Sequence, residues 1–197
     1  MNRILILASK SKRRAQILKS CGIRFKIKAS NRKEKFHRQI HPQELVITNA
    51  REKARDVAKR FKKGIILGCD TLVLFKNKPI GKPKGIKQAR TLLRQFRGNK
   101  LVVYTGLCLI DMWQKKEETT FAKTDLRVKW IPERELEDYL SHLGPYDKAG
   151  GFSIEGLGAV LFDNLVGSYF NVLGLPVNTL AELFKKIGLN ILDFVAK

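Results

Sequence analysis

The feature that most constrains the fold of this chain is a series of short apolar runs that alternate with longer segments of helical pattern. Residues 4–8, 65–75 and 101–112 are apolar along nearly their whole length, which is typical of strands buried inside a sheet. Residues 42–62 and 84–96 lie between such runs and predict helices. This alternation predicts an α/β fold with a mixed sheet.

Local signals set the boundaries of the predicted elements. Ser11 is typical of a helix N-cap and Cys21-Gly22 of a helix end, so a helix is predicted between them, to about residue 20. Pro42 marks the start of the longest predicted helix. The remaining predictions are a strand over residues 25–29, a turn at residues 77–79, a hairpin formed by residues 101–112 and 119–128, a helix over residues 132–143, a strand region over residues 150–162 and a helix over residues 176–187.

The charge of the chain is high and unevenly distributed. The 197 residues suit one domain, or one domain with two lobes, and carry a formal net charge of +21. Residues 1–100 contain 29 basic and 5 acidic side chains, whereas residues 101–197 contain 10 and 13. An even layer of solubilising charge is therefore excluded. Positive charge concentrated in this way favours a polyanionic partner: a nucleotide, a nucleic acid or an anionic membrane.

The cysteines and the N-terminal segment bear on the compartment. Cys21, Cys69 and Cys108 are widely spaced and form no CxxC pair, which favours a reducing compartment where they are small buried side chains. The apolar run at residues 4–8 is too short for a signal peptide or a membrane span. We therefore expect a cytoplasmic protein without a membrane partner.

The first candidate for chemistry is the segment SKSKRR, residues 9–14, which follows a predicted strand and opens a predicted helix. Backbone N–H groups at a helix start, hydroxyl groups and two guanidinium groups are the groups that bind phosphate. The alternative is a solvated basic surface. The placement between a strand and a helix favours phosphate binding.

The second candidate is Asp70, which lies inside the apolar sequence IILGCDTLVLF. A carboxylate inside a strand is unfavourable unless a partner stabilises it. A metal ion or a catalytic water would be such a partner, and the alternative is a structural aspartate that caps a turn or pairs with a lysine. The apolar flanks favour the functional interpretation.

Two weaker candidates follow along the chain. Lys82, in the sequence GKP, comes after a predicted turn and is placed to reach a phosphate. In the segment DKAGGFSIEG, residues 147–156, a charged pair enters a glycine-rich stretch where the backbone can approach a ligand closely. The alternative for this second segment is a tight turn with a bulge, and its residues leave both interpretations open.

These motifs, in this order, resemble those of the Maf family of nucleotide pyrophosphatases, also called septum formation inhibitor proteins. The matching segments are LILASKSKRR (5–14), NAREKA (49–54), GCDTLVLF (68–75), IGKP (80–83), VVYTGL (102–107), DKAGGFSIEG (147–156) and GSYFNVLGLP (167–176). They span nearly the whole chain, and several separated motifs in register are far more specific than any one alone.

The resemblance implies a single domain over residues 1–197 with two lobes, similar to inosine triphosphate pyrophosphatases, with the active site in a central cleft. The implied reaction is hydrolysis of a nucleoside triphosphate to the monophosphate and pyrophosphate, with a divalent metal, Mg²⁺ or Mn²⁺. The resemblance also implies a homodimer, a house-cleaning role on unwanted nucleotides and a link to cell division arrest.

Carried over residue by residue, the resemblance assigns Asp70 as the catalytic acid, acting as general base or metal ligand. Glu34 falls where the family has a second acidic metal ligand. The positions that look like substrate contacts are Ser9, Ser11, Arg13, Arg14, Lys53, Thr71, Lys82, Lys148 and Glu155. A base, a metal and surrounding cations are what attack on a phosphoryl centre requires.

The positions that resemble base-specificity residues disagree with one another. Arg13 and Thr71 resemble the subgroup that acts on dTTP and UTP, whereas Glu155 resembles the subgroup that prefers 7-methyl-GTP. An ionised carboxylate only accepts hydrogen bonds and suits the N–H edge of guanine, whereas an amide also donates and suits thymine or uracil. We favour dTTP and UTP, with 7-methyl-GTP as the alternative. A basic nucleic-acid-binding protein and a septum regulator are the alternatives outside this enzyme class.

Overall fold

A computed structural model of the protein describes residues 3–32, 34, 40–142, 148–151 and 153–196. The strands of this part of the chain are β1 (Leu5–Leu7), β2 (Phe25–Ile27), β3 (Ile65–Phe75), β4 (Lys78–Pro79), β5 (Lys100–Asp111), β6 (Lys116–Val128) and β7 (Phe162–Val166). Its α-helices are α1 (Lys12–Ser20), α2 (Pro42–Ala58), α3 (Ile86–Phe96), α4 (Glu133–His142), α5 (Tyr169–Val172) and α6 (Val177–Lys186).

The strands form a mixed sheet in the order β2-β1-β3-β5-β6-β7, and β4 pairs with β3. β1 pairs in parallel with both of its neighbours, so that Leu5 lies opposite Phe25 on one side and Ile65 on the other. β6 and β7 are antiparallel. The predicted α/β class with a mixed sheet is therefore confirmed. The single two-lobed domain with a central cleft stays a prediction.

The chain divides into two compact units. The first comprises Met1–Thr71, Tyr104–Ala122 and Leu173–Lys197, and the second comprises Leu72–Val103 and Lys123–Val172. The first unit thus contains β1, α1, β2, α2, α6 and most of β3. The second contains β4, α3, α4, β7 and α5.

In the first unit, α2 packs unusually closely against the sheet at two glycines. A Cβ atom on Gly68 would lie 2.1 Å from the carbonyl oxygen of Ala50, and one on Gly106 would lie 2.3 Å from the backbone of Val46. Ala50 belongs to a buried apolar cluster that also contains Ile6 and Ile66, so this contact is close-packed and leaves no room for an added methyl group. This close approach fixes the height of α2 above β3, and α2 carries several of the residues discussed below.

In the second unit, α3 and α4 are joined by a row of ion pairs along their exposed sides. Arg90 contacts Glu137, and Arg94 and Arg97 both contact Glu133. Exposed pairs of this kind contribute little to stability individually. The buried residues Leu93 and Phe96 on α3 and Leu136 and Leu140 on α4 supply the apolar faces of the two helices.

Most predicted boundaries are confirmed to within three residues, and three predictions are wrong. The turn predicted at residues 77–79 lies at Lys76 and Asn77, which have positive φ angles, and residues 78–79 form β4. The longest helix ends at Ala58 and not near residue 62, because the chain tightens into turns where Arg60 N–H bonds the carbonyl of Val57. Residues 150–162 do not form a strand region. Glycines at positions 150, 151 and 156 adopt positive φ angles, and a 3₁₀ helix, Gly156–Leu161, precedes β7.

Among the described residues, no helix is both long enough and apolar enough to span a membrane.

Candidate active site

The start of α1 has the local structure that the sequence predicts. Ser11 is the N-cap, and its hydroxyl accepts a hydrogen bond from the backbone N–H of Arg14 at 3.4 Å. The hydroxyl of Ser9 accepts from the N–H of Ser11 at 3.2 Å. The first turn contains no acidic side chain, although an acid is what the positive end of the helix dipole favours. An anionic ligand would supply the missing negative charge.

Arg14 is buried, and its guanidinium group joins three separate segments of the first unit. Nε donates to the carbonyl oxygen of Gly174 at 2.8 Å, and Nη2 donates to Oγ1 of Thr71 at 3.0 Å. Nη1 donates to Oγ of Ser9 at 3.0 Å and to the carbonyl oxygen of Cys69 at 3.1 Å. These contacts hold Ser9 and Thr71 on either side of one cation. A role for Arg14 as a substrate contact stays a prediction.

The position of Thr71 is fixed from two further directions. Its hydroxyl lies 3.0 Å from that of Thr105 on β5. A Cβ atom on Gly174 would lie 3.2 Å from the same oxygen, and Gly174 has a φ of +94°, so glycine is favoured there by both space and backbone conformation. Arg13, the other residue assigned to dTTP and UTP recognition, is half-buried in the first turn of α1.

Asp70 lies in the middle of β3 and is only 5% exposed. Its Oδ1 is 2.6 Å from Nζ of Lys53, which projects from α2. The same ammonium group is 2.6 Å from Oε1 of Glu34. One buried lysine therefore bridges the two acids that the sequence assigns to metal binding, and the structure brings all three predicted residues together.

The two carboxyl groups respond differently to these surroundings. Burial raises the pKa of Asp70, the positive charge of Lys53 opposes this rise, and the charge of Glu34 adds to it. Burial also acts to raise the pKa of Glu34, but the hydrogen bond and the charge of Lys53 outweigh it, so this pKa lies below its usual value. Asp70 is thus the better proton acceptor, because a raised pKa makes a carboxylate more basic.

Asn49 is a member of this cluster that the sequence analysis did not select. It is buried on α2, one turn before Lys53, and its Nδ2 donates to Oδ2 of Asp70 at 3.0 Å. A signal was present in the sequence: Asn49 is a polar residue on the face of α2 that otherwise carries Leu45, Ala50 and Ala54 toward the core.

The donor set is suited to a divalent cation of the Mg²⁺ type. Carboxylate oxygens are its preferred protein ligands, and Mg²⁺ commonly keeps waters and takes only one or two carboxylates. Asp70 and Glu34 already approach a shared cation, the ammonium of Lys53, so a positive centre between them is electrostatically favoured. Among the described residues there is no group of three or more His, Cys, Asp or Glu side chains that could hold a metal without further ligands.

Three predicted contact residues belong to the second unit. Lys82 and Glu155 are exposed and Lys148 is half-buried. The N–H of Gly150 donates to the carbonyl oxygen of Gly81 at 3.1 Å, so the segments that carry the two lysines are neighbours. Of the motif DKAGGFSIEG, the first residue and the phenylalanine lie outside the described residues.

Glu155 makes local contacts at the end of this motif. Its Oε2 accepts from the hydroxyl of Ser153 at 3.1 Å, and its backbone N–H donates to the same hydroxyl at 3.2 Å. These two contacts with Ser153 give the carboxylate a defined direction. This geometry is compatible with an acceptor for a ligand N–H group.

A family model described as "Maf-like protein" matches residues 4–187 of the chain. Among curated proteins, the dTTP/UTP pyrophosphatase of Methanosarcina barkeri is 36% identical over 192 residues, which are 97% of this chain and 98% of that protein. The dTTP/UTP pyrophosphatase of Syntrophus aciditrophicus is 38% identical over 184 residues, which are 93% of this chain and 90% of that protein.

A comparison with solved structures also found a match. It is the crystal structure of a nucleoside-triphosphatase, dITP/XTP pyrophosphatase, from Mycobacterium abscessus. It is 13% identical to this chain with a TM-score of 0.39, and the match covers 65% of this chain and 75% of that one.

Proposed function

The chain belongs to the Maf-like protein family, and from this premise we propose that it is a nucleoside triphosphate pyrophosphatase acting on dTTP and UTP. Two curated relatives with this activity in their names match more than nine-tenths of the chain. The observation that carries the proposal is the buried carboxylate of Asp70, which is held at one oxygen by the ammonium of Lys53 and at the other by the amide of Asn49. The resemblance to this family that the sequence motifs indicated is confirmed.

The reaction is the addition of water to a phosphorus atom of the α–β anhydride. The new P–O bond forms as the bond to the bridging oxygen breaks, and the products are the nucleoside monophosphate and pyrophosphate. In the metal-free cluster the pKa of Asp70 is raised, which favours Asp70 as the acceptor of the proton that the water loses wherever it is not itself a metal ligand. Lys53 stabilises the anionic form of Asp70 before this step, and its ammonium is the cation that this cluster offers to the developing charge.

The start of α1 is the proposed phosphate site of the first unit. Ser9, Ser11 and the half-buried Arg13 surround a helix N-terminus that lacks acidic side chains. The guanidinium group of Arg14 holds Ser9 in place by donating a hydrogen bond to its hydroxyl. Lys82 and Lys148 remain proposed phosphate contacts on the strength of their motifs.

We propose that Asp70 and Glu34 hold the divalent cation. When bound there, Mg²⁺ or Mn²⁺ supplies charge neutralisation for the phosphate oxygens and lowers the pKa of water. Lys53 would then be able to turn toward phosphate, because a divalent cation would compete with its ammonium for the same two carboxylates.

The direct test is the release of pyrophosphate from a panel containing dTTP, UTP, CTP, GTP and 7-methyl-GTP. With Mg²⁺ or Mn²⁺ we expect pyrophosphate and monophosphate in equal amounts, fastest from dTTP and UTP. EDTA should reduce the rate to background. The α,β-methylene analogue of dTTP should resist cleavage, whereas the β,γ-methylene analogue should still be cleaved. Release of inorganic phosphate without pyrophosphate, or no cleavage of any nucleotide, would contradict the proposal.

A second candidate is a preference for 7-methyl-GTP. One observation favours it: the carboxylate of Glu155 is oriented by a hydrogen bond from the hydroxyl of Ser153. Replacing it in Glu155→Gln adds an N–H donor at nearly the same size. We expect the ratio of kcat/KM for dTTP to that for 7-methyl-GTP to rise roughly tenfold, as befits one exchanged polar contact. An unchanged ratio would show that this position does not read the base.

Four further proposals rest on the family resemblance or on composition. They are a homodimer, a cytoplasmic location, a link to cell division arrest and a secondary affinity for nucleic acid through the basic half of the chain. Light scattering, localisation of a tagged protein, and gel retardation over a salt series address the first, second and fourth. Normal regulation of division by a catalytically inactive variant would separate the third from the enzymatic activity.

A further inference from the structure

The two oxygens of the Asp70 carboxylate have separate donors, and the two donors differ in charge. Lys53 Nζ contacts Oδ1 at 2.6 Å, and Asn49 Nδ2 contacts Oδ2 at 3.0 Å. Lys53 is also bonded to Glu34, so its position depends on a residue that is 64% exposed. Asn49 is 4% exposed and belongs to the closely packed face of α2.

Both donors reach Asp70 because they stand one turn apart on one helix. Residues four apart on an α-helix lie on the same face. α2 is held against β3 where the backbone of Ala50 meets Gly68, two residues before Asp70. The contact at Gly68 therefore sets the distance between Nδ2 of Asn49 and Oδ2 of Asp70.

A single hydrogen bond does not fix the plane of a carboxylate. The terminal torsion of an aspartate side chain has a broad, twofold distribution, so a carboxylate held at one oxygen retains freedom to rotate. The second bond, from Asn49, removes that freedom. Because the amide is neutral, it does so without adding charge beside the phosphates or competing with a metal.

We propose that Asn49 is a positioning residue for Asp70: it fixes Oδ2 so that Oδ1 is the oxygen left for the reaction. When Lys53 moves toward a ligand, Oδ1 becomes available while Asn49 keeps the carboxylate in place. The inference rests on the proposed pyrophosphatase function, and it assigns a role to a residue in the segment NAREKA beyond that of Lys53.

The test compares Asn49→Leu, which keeps the number and branching of the side-chain heavy atoms without a donor, with the wild-type chain. We expect kcat for pyrophosphate release from dTTP with Mg²⁺ to fall roughly tenfold to a hundredfold, as a misplaced reacting group would cause, while KM changes less than about twofold. Asn49→Ser provides a second variant, because its hydroxyl is too short to span the distance and it introduces no extra apolar bulk. Asn171→Leu, which removes a different buried amide bonded to Val103 and Thr124, serves as the matched control for lost stability.

The outcomes distinguish a failure of the positioning role of Asn49 from a failure of the proposed pyrophosphatase function. A lower kcat in both Asn49 variants, with unfolding temperatures no lower than that of the control, supports the positioning role. Wild-type activity in either folded Asn49 variant overturns it and leaves the pyrophosphatase function standing. If the wild-type chain releases no pyrophosphate from any nucleotide of the panel, the proposed function fails and the inference fails with it.

Discussion

Asp70→Asn is expected to lower kcat for pyrophosphate release by roughly 10²- to 10⁴-fold, the usual contribution of a general base. The amide has the same shape as the carboxylate but cannot accept the proton that water loses, and it is a poorer ligand for a divalent cation. Because Asp70 is 5% exposed and its size is unchanged, the packing of β3 against α2 should be preserved. The measurement is kcat on dTTP with Mg²⁺, together with thermal unfolding of the same samples.

A matched control for this variant is present in the same unit. Asp111 is completely buried, and its Oδ1 accepts from the backbone N–H groups of Trp113 and Gln114 at 2.8 and 3.1 Å. Its role is to hold the turn after β5. We expect Asp111→Asn to keep kcat within about twofold, since its carboxylate takes no part in the cluster around Lys53. If Asp70→Asn turns over as fast as Asp111→Asn, the role assigned to Asp70 is wrong.

The second large effect is on stability. In Gly68→Ala the added Cβ atom would lie 2.1 Å from the carbonyl oxygen of Ala50 and 2.9 Å from the Cβ of Ala54. The obstacle is backbone and not the end of a flexible side chain, so α2 has to move away from β3. We expect the free energy of unfolding to fall by about 3 kcal/mol, at the upper end of the usual range for overpacking. Urea denaturation measures this change.

Gly81→Ala is the control, because nothing lies within 4 Å of the Cβ atom it would add. Its free energy of unfolding should change by no more than about 0.5 kcal/mol. Equal stabilities of the two variants would show that α2 is not packed as closely as described. The displaced helix in Gly68→Ala also carries Lys53 and Asn49, so both activity and stability should fall in this variant. In Asp70→Asn, by contrast, activity should fall while the packing is preserved.

The features that could be predicted from the sequence are those determined by residues close together in the chain. Ser11 caps α1 because a hydroxyl three residues before an N–H group reaches it in any helix start. The apolar flanks of Asp70 made its burial foreseeable. In each case the residues that decide the structure lie within a few positions of one another.

The parts that sequence reasoning missed depend on contacts between distant segments. Arg14 bonds Gly174, which is 160 positions away, and no local pattern shows that a guanidinium of the proposed phosphate-binding segment faces inward. Asn49 and Asp70 are 21 positions apart and meet only because α2 lies against β3. The error over residues 150–162 was of a different kind, since the glycines there adopt backbone angles that a strand excludes.

The contact between Arg14 and Gly174 also orders events during synthesis of the chain. The ribosome makes the N-terminal residues first, yet the guanidinium group obtains its partner on Gly174 only after residue 174 has been added. A nascent chain can form α1 early, because its hydrogen bonds are local, but it cannot close this long loop until Gly174 has emerged. Burial of Arg14, and with it the final placement of Ser9 and Thr71, is therefore a late step of folding.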